Sequence, residues 1–177
     1  PVEMRRALLK DHPRHVAVLD LAAEKAEWGK EMPKGTFRGV ALHESFGTVV
    51  AYVVEASVDK GVPRLHRVTA GVHCNLAVNP MSVEAQIQGA ALMGLSTCLP
   101  GNAITLKDGV VEQSNFGEYR VARMTDMPKI AVHLVPSADA PTGVGEPGLP
   151  PLAPAFANAI ARATGKPAPR ELPFPQA

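Results

Sequence analysis

The chain has 177 residues, 46% of them hydrophobic and 20% charged, so it has the length and composition to fold around a core. Its formal net charge of +1 and its aromatic content of 5% exclude the basic, stacking surface that nucleic-acid binding requires. No apolar run approaches the roughly 20 residues that span a bilayer, so the sequence predicts no transmembrane segment.

The residues that most often bind metals form no metal-binding pattern. Cys74 and Cys98 make no CxxC pair, and we expect both thiols to be buried as small apolar groups. His12 and His15 form an HxxH pair around Pro13, but no acidic partner is obvious. We therefore expect a structural role for these histidines at a helix entry, and we predict no metal ligands.

The first half of the chain predicts one helix followed by strands. A helix is expected over 13–28, with Pro13 in its first turn and Gly29 at its C-terminal cap. The stretch 39–74 is rich in β-branched residues, and its segment 49–54 is apolar at every position. That pattern predicts a central strand covered on both faces, with a hairpin turn at Gly61.

The second half returns to helical spacing after residue 78. Asn79 is a favourable cap and Pro80 a favourable first residue for a helix that ends before Pro100-Gly101. Asp108-Gly109 predicts a tight hairpin, and the alternating stretches 117–124 and 129–137 predict further strands. A last helix is expected over 151–165, ending at Gly165, and the tail 167–177 is expected to be extended.

The order of these elements indicates the fold class. Strands come in runs and do not alternate with helices, which is typical of an α+β fold. We predict a mixed, mostly antiparallel sheet with about three helices. The chain also lacks the GxGxxG and GxxxxGK[ST] patterns of common nucleotide-binding sites.

Two polar residues are candidates for chemistry. Glu146 is the only charged residue of the segment PTGVGEPGLPPLAP (141–154), where Gly143 and Gly145 permit close approach of the backbone. It is either an exposed turn residue or a carboxylate kept from water, where burial would raise its pKa and make it a general base. Gln86 is either an exposed helix residue or a donor and acceptor for a ligand.

Several stretches together resemble a known family. The helix VNPMSVEAQIQGAALMGLST, the hairpin KDGVVEQSNF and the segment GVGEPGLPPLAPAFANAIARATGK occur in the family's order. So do DHPRHVAVLDLAAEKAEWG and GVALHESFGTVVAYVVEASV. The chain resembles the xanthine dehydrogenase family of molybdenum hydroxylases. It is most similar to the C-terminal part of the large molybdopterin-binding subunit of bacterial isoquinoline 1-oxidoreductase and aldehyde oxidoreductase types.

The resemblance implies roles for specific residues. Glu146 would be the catalytic base, Gln86 a cofactor contact, and Gly143 and Gly145 the residues that bring the loop close to the cofactor. The implied cofactor is a molybdopterin-type molybdenum cofactor in its cytosine dinucleotide form. The implied enzyme hydroxylates an aldehyde or an N-heterocycle with oxygen from water, and passes electrons to a [2Fe-2S] small subunit.

The resemblance also implies how much of the enzyme this chain represents. Residues 1–177 would be a single C-terminal subdomain or fragment of a larger subunit, whose remainder completes the pocket. The isolated chain is then expected to be inactive and to hold no cofactor, and its compartment, bacterial cytoplasm or periplasm, stays open. One departure favours the alternative of a non-catalytic assembly or ligand-binding module: His73 and Asn75 replace the Asp and Gly of the family's Asp-x-Gly.

Overall fold

The computed structural model describes residues 1–174 and confirms an α+β fold with four helices and six strands in that part of the chain. The helices are α1 (Val2–Leu8), α2 (Pro13–Lys25), α3 (Pro80–Cys98) and α4 (Leu152–Thr164). The strands are β1 (Thr36–Ser45), β2 (Thr48–Asp59), β3 (Val62–His73), β4 (Leu106–Lys107), β5 (Val110–Val111) and β6 (Lys129–Leu134).

The main sheet is mixed and mostly antiparallel, as the sequence predicts. Its order is β1-β2-β3-β6, in which β1, β2 and β3 form an antiparallel meander and β6 pairs with β3 in parallel. Lys60 and Gly61 both have positive φ at the turn between β2 and β3, which confirms the predicted hairpin. The parallel pairing requires a long crossover, and α3 with the segment 99–128 supplies it.

Strand β2 is the centre of the core. Val49 and Val53 pack with α1 and α2 on one face, while Val50 and Val54 pack with α3 and α4 on the other. All four are completely buried, so the prediction of a strand covered on both faces is confirmed. Such complete burial of apolar side chains is the main favourable contribution to the stability of the sheet.

The first predicted helix ends earlier than expected. Helix α2 stops at Lys25, and Glu27 takes the left-handed conformation that was expected of a glycine cap. The amide of Glu27 donates to the carbonyl of Glu24, and that of Trp28 donates to the carbonyl of Ala23. These two bonds form a Schellman motif, which satisfies the last carbonyls of the helix without Gly29.

One other expectation about elements was wrong. The stretch 117–124 is not a strand; a short 3-10 turn over Phe116–Glu118 is followed by irregular backbone. The fold class is as predicted, with helix α1 in addition to the three helices expected within residues 1–174. The predicted hairpin at Asp108-Gly109 is confirmed by β4 and β5, and Cys74 and Cys98 are buried as expected.

The end of the last helix is confirmed, since Gly165 caps α4 in the left-handed conformation. Of the tail 167–177, the last three residues lie outside the described part of the chain. No helix within residues 1–174 has both the length and the apolar character needed to cross a lipid bilayer.

Candidate active site

The segment 139–146, here called the base loop, is attached on one side to the end of β3. The amide of Thr142 donates to the carbonyl of Cys74 over 3.1 Å, and the Asn75 side chain donates to the carbonyl of Ala140 over 2.9 Å. Irregular backbone is normally mobile unless such bonds replace those of a helix or a sheet. The base loop is therefore held like an additional strand beside residues 74–76.

The other side of the base loop is attached to the turn between β1 and β2. The amide of Gly143 donates to the carbonyl of Phe46 over 3.2 Å, and the hydroxyls of Thr142 and Thr48 lie 2.7 Å apart. A Cβ on Gly143 would lie 2.9 Å from the Cβ of Phe46, so only glycine fits without a shift. Gly143 thus packs against this turn and does not reach Gln86.

The departures from the Asp-x-Gly pattern lie at the end of β3. His73 is the last residue of this strand, and burial, followed by the nearby charge of Arg14, lowers the pKa of its imidazole. Asn75 has a φ of 60°, a conformation that asparagine tolerates better than most residues other than glycine. The geometry that glycine permits at this position is therefore kept with an asparagine.

Gln86 lies on the exposed side of α3. The Asn79 side chain caps this helix by accepting from the amide of Ser82, as predicted. Ile87, the next residue, is completely buried, and the Gln86 side chain points to the other side. Gln88 donates to Glu84, whereas the Gln86 amide makes no hydrogen bond within residues 1–174.

The structure brings Gln86 to the base loop. A Cβ placed on Gly145 would lie 3.7 Å from Nε2 of Gln86, so the amide lies against bare backbone. Just beyond Glu146, a Cβ on Gly148 would lie 2.7 Å from the hydroxyl of Tyr52 and 3.0 Å from the Cβ of Ala90. The absence of a side chain at Gly148 therefore lets the chain pack closely on α3, next to Gln86.

Tyr52 packs beneath Gly148 and bonds to α3. It is completely buried, and its hydroxyl donates to the carbonyl of Ile87 over 3.4 Å. Burial raises the pKa of this hydroxyl, so it remains a neutral donor beneath Gly148 at ordinary pH.

The Glu146 side chain is exposed, and no ion pair holds its carboxylate within residues 1–174. Of the two alternatives for Glu146, the exposed residue is the one seen within residues 1–174, where no described element covers its carboxylate. Its backbone is ordered nonetheless: the carbonyl accepts from the amide of Leu149 in the turn that leads to α4. A carboxylate and an amide are therefore presented together at an open surface.

Sequence reasoning missed the residues that support this surface, among them Phe46, Thr48 and Thr142. Each acts through a contact between distant parts of the chain, and no local pattern marks them. Within residues 1–174 no group of three or more His, Cys, Asp or Glu could hold a metal ion.

Comparison with known proteins identifies the class. The family model described as "Molybdopterin cofactor-binding domain" matches residues 13–128, about two thirds of the chain, and the chain belongs to that family. The matched range contains Gln86 and ends before the base loop.

Individual relatives extend the match along the chain. The beta subunit of isoquinoline 1-oxidoreductase from Brevundimonas diminuta is 35% identical over 171 residues, which are 94% of this chain and 22% of the relative. A membrane-bound aldehyde dehydrogenase of Gluconacetobacter polyoxogenes, whose name includes pyrroloquinoline-quinone, is 35% identical over 159 residues, 86% of this chain and 20% of that protein. The chain thus spans about a fifth of these relatives.

Solved structures confirm the fold. Reconstituted CO dehydrogenase from Oligotropha carboxidovorans matches with a TM-score of 0.58 at 24% identity, over 67% of this chain and 16% of that one.

The residues at the surface fit one side of a molybdopterin cofactor. A pterin is planar and carries several donors and acceptors, which an amide such as that of Gln86 can pair from one side. The bare backbone at Gly145 lets a flat ligand come close. Within residues 1–174 a ligand at this surface would be contacted from one side only.

Proposed function

We propose that the chain is the C-terminal part of the large subunit of a molybdenum hydroxylase. The enzyme would hydroxylate an aldehyde or an N-heterocycle with oxygen from water. Support comes from membership of the cofactor-binding family and from the relatives, whose names include an isoquinoline oxidoreductase and an aldehyde dehydrogenase. The contact of Gln86 with Gly145, next to the exposed Glu146, is the observation that carries the proposal.

In the proposed site, Gln86 hydrogen-bonds the pterin, and the bare backbone at Gly145 lets the pterin come close. Gly143 holds the base loop against the β1–β2 turn. The molybdenum cofactor, in its cytosine dinucleotide form, supplies the two-electron oxidation when bound. Glu146 takes a proton from the water-derived oxygen that enters the product. A positioned carboxylate base of this kind contributes about 10²–10⁴-fold to the rate.

The proposed partners follow from what the chain leaves exposed. Eight large apolar side chains between residues 104 and 127 are exposed: Ile104, Leu106, Val110, Val111, Phe116, Val121, Met124 and Met127. We call this region, 102–127, the apolar arm. A surface of this kind marks a contact, and we assign it to the remainder of the large subunit, since the relatives are about five times longer than the matched segment. A [2Fe-2S] small subunit would receive the electrons.

Substitution Glu146→Gln in the complete subunit tests the base assignment. The amide keeps the size of the side chain but cannot accept the proton, so turnover should fall by about 10²–10⁴-fold while molybdenum content is unchanged. Glu31→Gln makes the same change at an exposed residue outside both the base loop and the apolar arm, and serves as the control. Full turnover in Glu146→Gln, at normal molybdenum content, would contradict the assignment.

Metal and cofactor analysis of the complete protein separates the proposal from its alternatives. Stoichiometric molybdenum and pterin support a hydroxylase. A purified protein that holds pyrroloquinoline quinone instead, or that holds no cofactor at all, would contradict it, and the latter would favour a non-catalytic module.

A further inference from the structure

The guanidinium of Arg14, in the first turn of α2, joins the two supports of the base loop. Its Nη2 donates to the carbonyl of Gly47 over 2.6 Å and to the carbonyl of His73 over 3.3 Å. Gly47 belongs to the turn between β1 and β2, and His73 ends β3. One side chain therefore ties together the two strand ends between which the base loop lies.

The path from Arg14 to the base loop is short on both sides. Gly47 follows Phe46, whose carbonyl accepts from the amide of Gly143. His73 precedes Cys74, whose carbonyl accepts from the amide of Thr142. A movement of either support relative to the other would break one of these bonds. The separation that Arg14 maintains is thus transmitted to residues 142 and 143.

The charge of Arg14 strengthens these bonds. The side chain is partly exposed, with 37% of its surface accessible, while its Nε is buried without a hydrogen-bond partner within residues 1–174. Because the donor is charged, its bonds to the two carbonyls are stronger than bonds between neutral groups. Glu44 lies 4.0 Å from its Nη1 and is held by His15 over 3.0 Å. Both bonds come from Nη2, whose two N–H groups are fixed in the plane of the guanidinium. A lysine would keep the charge, but its ammonium lacks this planar arrangement of donors.

We propose that Arg14 is a positioning residue for Glu146. The sheet ladder ends with the pair Val49 and His73, and beyond that pair Arg14 fixes the β1–β2 turn against the end of β3. The base loop between them then presents Glu146 next to Gln86. The effect on catalysis rests on the proposed role of Glu146, whereas the effect on the loop rests only on the contacts described above. The two can therefore be tested separately.

Amide hydrogen exchange in the complete subunit tests the effect on the loop. In Arg14→Met, the amides of Thr142 and Gly143 should exchange about 10- to 100-fold faster, because loss of charge-assisted bonds lets the supports separate. Arg14→Lys should show a smaller increase. Arg6→Met removes an exposed arginine that pairs with Asp20 and should leave exchange in the base loop unchanged.

Steady-state kinetics on the same variants test the effect on the reaction. A displaced base lowers kcat more than it raises KM, so Arg14→Met should lose about 10- to 100-fold in kcat with KM and molybdenum content nearly constant. Arg14→Lys should recover part of this loss. It also provides the decisive comparison if Arg14→Met does not fold.

Two results would overturn the inference. Unchanged exchange at residues 142 and 143 would mean that Arg14 does not hold the loop. Faster exchange with normal kcat, in an enzyme that Glu146→Gln inactivates, would mean that the loop needs no such support for catalysis. If Glu146→Gln instead retains activity, the base assignment fails, and the exchange rates alone decide whether Arg14 holds the loop.

Discussion

The base loop and the apolar arm are both irregular, yet they are attached to the sheet in opposite ways. The base loop is bonded on both sides, to the end of β3 and to the β1–β2 turn. The arm is attached to the end of α3 at two points. The buried Asn102 side chain donates to the carbonyls of Ser96 and Arg120, and the amide of Ala122 donates to the Ser96 hydroxyl. Between these points, its two strands have only two residues each.

The base loop and the arm are therefore two different kinds of uncovered surface. The base loop has an ordered backbone and exposes polar groups, which is how a chain presents residues for chemistry. The arm exposes large apolar groups on a hairpin too short to be stable alone, which is how a chain presents a surface for docking. In the proposed enzyme, the first surface contacts the cofactor and the second is covered by the remainder of the large subunit.

Glycine substitutions should give the largest contrast between the two regions. Gly148→Ala places a Cβ 2.7 Å from the buried Tyr52 hydroxyl, so we expect a loss of about 1–3 kcal/mol in the free energy of unfolding. Gly117→Ala on the arm meets nothing within 4 Å and should change it by less than about 0.5 kcal/mol. Urea denaturation of both variants measures this. Equal stabilities would mean that the chain just beyond the base loop, at Gly148, does not pack on Tyr52 and α3 as described.

A smaller effect is expected from polar substitution on the arm. Phe116→Ser removes a fully exposed aromatic ring, so the free energy of unfolding should change by less than about 0.5 kcal/mol while self-association of the 177-residue chain falls. Leu8→Ser, on the exposed side of α1, is the matched control and should leave self-association as it was. Sedimentation velocity at several concentrations distinguishes them. An unchanged association constant in Phe116→Ser would argue against the arm as a docking surface.

The same contrast explains what could be predicted from the sequence. Strands β1 to β3, their turn at Gly61 and the capped helix α3 were predicted because hydrophobic period, turn residues and caps are local signals. The stretch 117–124 alternates like a strand but has no strand beside it to pair with. Alternation indicates that a segment can pair; the rest of the fold decides whether it does.

The candidate site was predictable only in part, for the same reason. The resemblance selected Gln86 and Glu146, but no spacing rule predicts that Gln86 lies against Gly145. The exposure of Glu146 also depends on what packs over the loop, which local composition does not encode. Arg14 lies in the first turn of a helix, where an arginine carries no special signal in the sequence. Only the folded structure shows the two carbonyls that it joins.

The cofactor content of two glutamine variants of the complete subunit tests the central claim most directly. Gln86 and Gln88 lie on the same helix, but Gln86 lies against Gly145 while Gln88 bonds to Glu84. Gln86→Leu removes the proposed hydrogen bond to the pterin and should lower the molybdenum and pterin content by about tenfold when cofactor is limiting. Gln88→Leu should retain the wild-type content. Equal, full cofactor content in both variants would contradict the assignment of this surface to the molybdenum cofactor.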